Sequence, residues 1–274
     1  MTRAATAQTL SPRPRPLPTN YLQRAELPLA SLAALLPLII LYELGTRVFA
    51  FDPAHQVEQR IIAFTLMQRF FELFGATGKY LPAMAVVCIL LTWHIARNDP
   101  WKVRPSTLFG MLLEGTAWGI PLLAVGTLTA RYLSHYHLPL FASESSPLAS
   151  CLFPLASPSS HSNSALFVLS IGAGIYEELV FRLIGLTLLH VVFVDILAFE
   201  KFWAYLYMVA ISAVAFALYH YLGSEPFAWR SFAFRTLAGV YFGVLFLGRG
   251  FGITALSHSS YDIIVVLLRF ATAA

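Results

Sequence analysis

The chain has 274 residues, of which 58% are hydrophobic and 12% charged, with a mean hydropathy of +0.69. A water-soluble domain carries about 25% charged residues, so this composition excludes a soluble globular protein and indicates a polytopic membrane protein in a lipid bilayer. The net charge of +4 does not signal nucleic-acid binding. The basic residues sit between apolar runs (Arg3, Arg13, Arg15 and Arg24 before the first, Arg97, Lys102 and Arg104 after the second) and do not cluster on one face.

Residues 1–28 form a Pro/Arg-rich tail with no apolar core of a signal peptide near its start. The first apolar run, Leu29–Phe51, is too long for a signal peptide and is read as a retained span. Six further runs follow: Leu81–Ile95, Leu108–Thr129, Ala165–Val194, Phe202–Leu222, Phe232–Leu247 and Phe251–Leu268. The fourth is long enough for a span plus a short extra helix. Ile61–Phe74 keeps Gln68, Arg69 and Glu72 among its apolar residues and suits an interfacial helix, with an eighth span as the alternative. Sustained period-2 alternation is missing, which argues against spanning strands. The expected fold class is therefore all-α, a transmembrane helical bundle of about seven or eight spans. The Arg-rich tail and the basic 97–104 segment place the N-terminus on the cytoplasmic side, and the Ser-rich Ser143–Ser164 segment, which has no Lys or Arg, outside. The two cysteines, Cys88 and Cys151, say little about compartment.

Charged groups inside apolar runs cost several kcal/mol and face a bundle interior or a wet cavity. Glu43 and Glu114 are alone in their runs and suit buried packing or hydrogen bonding. His94 and Asp195 lie near run ends, as interfacial groups do. Three clusters remain. In "GIYEELVFRLIG", Glu178 and Arg182 are four residues apart with the acid first, the favourable order for an ion pair. Glu177 then points elsewhere with no partner on its own helix, and an unpaired carboxyl in such a site suits general acid/base chemistry. Gly172, Ala173 and Gly174 just before it allow another backbone to come close. In "FALYH", Phe216 and His220 share a helical face. In "HSSYD", His258 and Asp262 are again one turn apart, and a carboxylate there can hold an imidazole's tautomer and orientation. Each cluster alone is also compatible with a structural polar network; together they suit one wet pocket.

The ordered set Glu-Glu-x-x-x-Arg, Phe-x-x-x-His and His-x-x-x-Asp, carried by Glu177–Arg182, Phe216–His220 and His258–Asp262, resembles the CPBP family. These are the type II CAAX prenyl endopeptidases and bacteriocin-processing proteins, glutamic-type intramembrane proteases. The resemblance covers roughly residues 165–270. It implies a catalytic helical core over 165–274, with a membrane-anchored protein or peptide as substrate and no cofactor or metal; residues 29–164, the N-terminal transmembrane helices and Ser-rich loop read from the apolar runs, carry no assignable motif. By the same resemblance Glu177 is the general base on a water, His220 orients that water, and His258 with Asp262 stabilises the oxyanion. Glu178 and Arg182 are supporting residues. Many family members have Asn at the position of Asp262. An aspartate donates a hydrogen bond only when protonated, so Asp262 is expected to aim His258, with His258 as the donor. Two alternatives use the same residues: a zinc-dependent membrane protease, although the His-Glu-x-x-His motif is missing, and a non-proteolytic membrane scaffold or immunity protein. Ser257, Ser259 and Ser260 near His258 lack the Gly-x-Ser-x-Gly context of a serine hydrolase.

Overall fold

The computed structural model describes residues 15–52, 57–135, 162–223 and 225–273; most of the Ser-rich segment and the first fourteen residues lie outside them. The short helix α1 (Tyr21–Ala25) leads into α2 (Pro28–Phe49), which starts with Pro28 in its first turn, where the missing N–H is harmless. A two-residue antiparallel pair follows, β1 (Phe51–Asp52) with β2 (Val57–Glu58), in the register Phe51↔Glu58. This small ribbon was not anticipated, and it is far too short to span a bilayer. Helices α3 (Ile62–Leu73), α4 (Leu81–Ala96), α5 (Pro105–His135), α6 (Asn163–Ile196), α7 (Lys201–Tyr219) and α8 (Trp229–Ala273) complete the chain. It is an all-α polytopic bundle with five helices long and apolar enough to cross a membrane, plus the shorter apolar α4.

All seven apolar runs fall on these helices, the last two of them on α8. At Gly250 (φ 75°, ψ −178°) α8 is not helical, a conformation that glycine adopts without steric cost. Contacts show that the chain turns back there. Arg249 and Tyr241 meet Glu114 and Trp118 of α5 in descending order, whereas Gly252, Leu256 and Tyr261 meet Met111, Gly115 and Gly119 in ascending order. The rings of Phe242 and His258, eight residues either side of Gly250, stack with centroids 4.6 Å apart. So α8 is a helical hairpin, its two arms corresponding to the sixth and seventh runs. Its turn is held by Arg249, which donates to both carboxylate oxygens of Glu114 at 2.6 and 3.0 Å and to Glu26 at 2.8 Å. Glu114, alone on its own run, is thus paired by a residue of the hairpin, and Tyr21 O–H donates to it as well at 2.7 Å.

Helix α3 is twelve residues long, roughly 18 Å, too short for a span. It buries Ala63, Phe64 and Met67 against the bundle and exposes Phe70 and Leu73, the pattern of an interfacial helix. Helix α6 is one continuous element, without the separate extra helix expected of its length. It carries π-helical stretches at Ala173–Glu177, Leu179–Leu186 and Val191–Ile196; such i→i+5 segments concentrate at functional sites. Gly174 of α6 sits against the second arm of α8: a Cβ there would lie 2.4 Å from Ser259 N and 2.7 Å from Ala255 O. The glycine lets the helix bearing Glu177 touch the helix bearing His258.

Candidate active site

Glu177 and Glu178 project from the π-helical part of α6, His220 from the 3₁₀ turn that ends α7, and His258 and Asp262 from the second arm of α8. The structure brings all of them together with Arg182. Glu177 is 2% exposed, and Glu178 and Arg182 are fully buried. His220 Nε2 lies 3.8 Å and His258 Nε2 3.9 Å from the same atom, Glu177 Oε2. A cavity of about 30 Å³ is lined by Glu177, His220, His258, Asp262 and Arg235 with apolar neighbours that include Phe216 and Phe242. A water needs about 10–15 Å³ on this measure, so the space accommodates water.

Hydrogen bonds fix which ring nitrogen of each histidine faces the cavity. His220 Nδ1 is 2.8 Å from the Phe216 carbonyl oxygen. A carbonyl only accepts, so Nδ1 carries a proton, and in the neutral ring Nε2 is an acceptor turned toward Glu177. His258 Nδ1–H donates to Glu178 Oε1 at 2.7 Å, which leaves its Nε2 facing Glu177 and, at 3.5 Å, Asp262 Oδ2. Asp262, expected to aim His258, does lie beside its ring on the Nε2 side, and the carboxylate in closest contact with the ring is Glu178, on the Nδ1 side.

Glu178 therefore serves two partners. Its Oε2 is 3.1 Å from Arg182 Nε, a charge contact rather than an aligned hydrogen bond, since neither atom has a hydrogen-bond partner. Arg182 also donates to Gly239 O at 3.3 Å and lies over the Phe216 ring at 4.4 Å and the Phe242 ring at 5.7 Å. Two aromatic faces thus cover a guanidinium that is short of hydrogen-bond acceptors, a favourable arrangement for a buried cation.

Three residues were not assigned a role from sequence. Tyr219 O–H donates to Glu177 Oε1 at 3.1 Å and accepts from Ala63 N–H at 2.8 Å, so the first turn of α3 helps to hold the candidate base. Nothing singles this tyrosine out among the twelve in the chain. Phe242 stacks on His258, and it too looks like any apolar helix residue. Arg235 had a signal, being a cation inside an apolar run. A second network adjoins the site: Tyr176 O–H donates to Glu43 Oε1 at 3.1 Å, and Arg60 pairs with Glu43 at 2.8 Å and Glu58 at 2.6 Å. Glu43 is thus ion-paired across the fold. His94, expected at an interface, is buried edge-on against Trp101 with centroids 4.4 Å apart. His190 and Asp195 lie 3.7 Å apart on the exposed end of α6. Ser259 Oγ donates to Ile171 O and Ser260 Oγ meets Thr116 Oγ1, each at 3.3 Å, which commits both hydroxyls to helix packing. Among the described residues no three His, Cys, Asp or Glu side chains are grouped to hold a metal ion.

Fold and site together define a multi-pass α-helical membrane protein with a buried cluster of carboxylates and imidazoles beside a small cavity. Residues 159–264, which hold the whole cluster, match the family of type II CAAX prenyl endopeptidase Rce1-like proteins. The match agrees with the family that the three motifs resemble. No match was found among curated proteins or among solved structures.

Proposed function

We propose that the chain is an intramembrane endopeptidase that hydrolyses a membrane-associated protein or peptide with a water activated by Glu177 and His220. The observation that carries this reading is the convergence of two imidazole Nε2 atoms on one oxygen of Glu177, at 3.8 and 3.9 Å, beside a cavity with room for water. The water lies between Glu177 and His220 Nε2. Glu177 takes one proton from it as the oxygen adds to the scissile carbonyl carbon. His258, held through Nδ1 by Glu178 and carrying its second proton on Nε2, donates a hydrogen bond to the tetrahedral oxyanion. The C–N bond then breaks, and Glu177 passes the proton to the departing nitrogen. The products are a carboxylic acid and an amine, and all side chains return to their starting state.

Glu178 aims His258 and offsets the charge of Arg182, and Asp262, 3.5 Å from Nε2, is a nearby counter-charge to the ring while the Nε2–H points to the oxyanion. No metal enters this scheme. The substrate is a membrane-anchored tail or leader peptide; motif and fold do not fix its sequence or any lipid on it. The Arg-rich segments put the N-terminus on the cytoplasmic side. Glu177→Gln and Glu177→Ala should abolish cleavage, a general base being worth roughly 10²–10⁴ in rate, with the protein at its normal level in the membrane. Comparison of membrane-protein termini in cells carrying wild type or Glu177→Gln identifies the substrate. Full processing by Glu177→Gln would reject the mechanism.

A further inference from the structure

The cavity wall holds one arginine or lysine, Arg235, among the described residues. It is 2% exposed and lines the same cavity as His220 and Asp262. Its guanidinium makes a forked pair with Glu225, Nη1 to Oε1 at 2.9 Å and Nη2 to Oε2 at 2.8 Å. We propose that Arg235 is a subsite for a carboxylate group of the substrate, and that Glu225 is an internal stand-in which that carboxylate displaces. The inference rests on the peptidase reading and extends it to a substrate class, peptides bearing an acidic group near the bond to be cut.

The argument is a contrast between two ion pairs of the same site. Arg182 and Glu178 are both at 0% side-chain exposure, so separating them would leave Arg182 as a fully buried charge without its counter-ion, which is strongly unfavourable. That pair is fixed. Glu225 is 31% exposed and lies in the non-helical segment that precedes α8. Its carboxylate is partly exposed and, besides the fork, accepts a long hydrogen bond from Ser231 Oγ at 3.3 Å, so turning outward costs it little. The partner it leaves is a buried fork at the cavity wall, matched in shape to any carboxylate. The fork is also pre-positioned, because the Tyr221 ring lies 5.4 Å from the guanidinium carbon and Tyr221 O–H is tied to Ala228 O at 3.1 Å. Arg235 therefore combines a rigid placement beside Glu177, His220, His258 and Asp262 with an exchangeable partner.

The displacing carboxylate has two chemical sources, the α-carboxylate of a chain end and the side chain of an Asp or Glu. Three lauroylated tripeptides separate them: Leu-Leu-Leu as the free acid, Leu-Leu-Leu amide and Leu-Asp-Leu amide. Binding is read as the rise in unfolding temperature of full-length Glu177→Gln in lipid nanodiscs, a variant chosen so that the probe is not consumed. The free acid, the Asp-containing amide or both should raise it, and Leu-Leu-Leu amide should not. Adding Arg235→Met should abolish the difference. Adding Glu225→Gln, which keeps the fork and weakens its competitor, should tighten acid binding roughly tenfold. Equal shifts for all three probes, or an acid preference that survives Arg235→Met, overturns the subsite.

Cleavage of a pool of lauroylated decapeptides by the wild type, followed by mass spectrometry, keeps the two readings apart. Acid-selective binding with no cleavage retains the subsite and rejects the peptidase. Cleavage indifferent to acidic groups, and unaltered in that respect by Arg235→Met, retains the peptidase and rejects the subsite. Because Glu225 re-pairs with the fork whenever the substrate lacks an acid, the preference expected of the active enzyme is modest, roughly tenfold, and smaller than at a site whose polar group is left unpaired.

Discussion

Replacing Glu178 separates two roles that meet in one side chain. Glu178→Ala removes the counter-charge 3.1 Å from Arg182 and the acceptor 2.7 Å from His258 Nδ1. Arg182 keeps its bond to Gly239 O and its two aromatic neighbours, but its charge becomes uncompensated at full burial. Removing one member of a buried pair costs about 3–5 kcal/mol, against a total stability of about 5–15 kcal/mol for an ordinary domain. Glu178→Ala should therefore unfold at a markedly lower temperature in nanodiscs and accumulate poorly. Replacing both members with apolar side chains removes the stranded charge, and such swaps are often neutral or stabilising by about 1–4 kcal/mol. The double variant Glu178→Leu/Arg182→Met should regain most of the unfolding temperature. It should not regain cleavage, because His258 still lacks the carboxylate that fixes its Nδ1 proton and so leaves Nε2 unaimed. Thermal unfolding and a cleavage assay on the same preparations decide the matter. A Glu178→Ala protein as stable as wild type would refute the ion-pair reasoning, and recovered activity in the double variant would refute the orienting role.

Three further outcomes are expected. Tyr219→Phe deletes the bond to Glu177 and strands the Ala63 N–H, a loss of about 1–3 kcal/mol for a hydrogen bond to a charged group or a buried orphan donor. The turnover number should fall roughly tenfold with KM little changed; a change in KM alone would count against a role in holding the base. Exhaustive chelation should leave the purified enzyme active, and activity lost to a chelator and restored by zinc would favour a metalloprotease. Glu58, in the ribbon outside the spans, bears on acid stability. Burial acts to raise its pKa, but the hydrogen bond and charge of Arg60, with Lys79 and Arg47, outweigh it and the carboxyl titrates below its ordinary value. A lowered folded-state pKa gives stability that is present above the unfolded-state value and lost as pH falls through the folded one. The wild type should unfold at a higher temperature than Glu58→Gln near neutrality, with the gap closing on acidification below the usual carboxylate range. A gap that widens on acidification contradicts the assignment.

The sequence by itself determined the solvent, the class and the helices. Hydropathy is a local property, and a span must satisfy its own backbone hydrogen bonds, so each apolar run became a helix. The break between Leu247 and Phe251 also marked the hairpin turn at Gly250. The Glu178–Arg182 pair was legible because four residues is one helical turn, and it persists within a π-helical stretch that no periodicity announced. Only the tertiary structure decided the rest: that Glu178 and not Asp262 grips His258 through Nδ1, that Glu43 is paired by Arg60 and Tyr176, that Tyr219 ties Glu177 to α3 across 156 residues of sequence, and that Arg235 reaches Glu225. In a membrane protein the lipid-facing and core-facing sides of a helix are both apolar, so the sequence does not record how each helix is rotated. Which polar groups meet across helices is set by that rotation and by the close approaches that residues such as Gly174 permit.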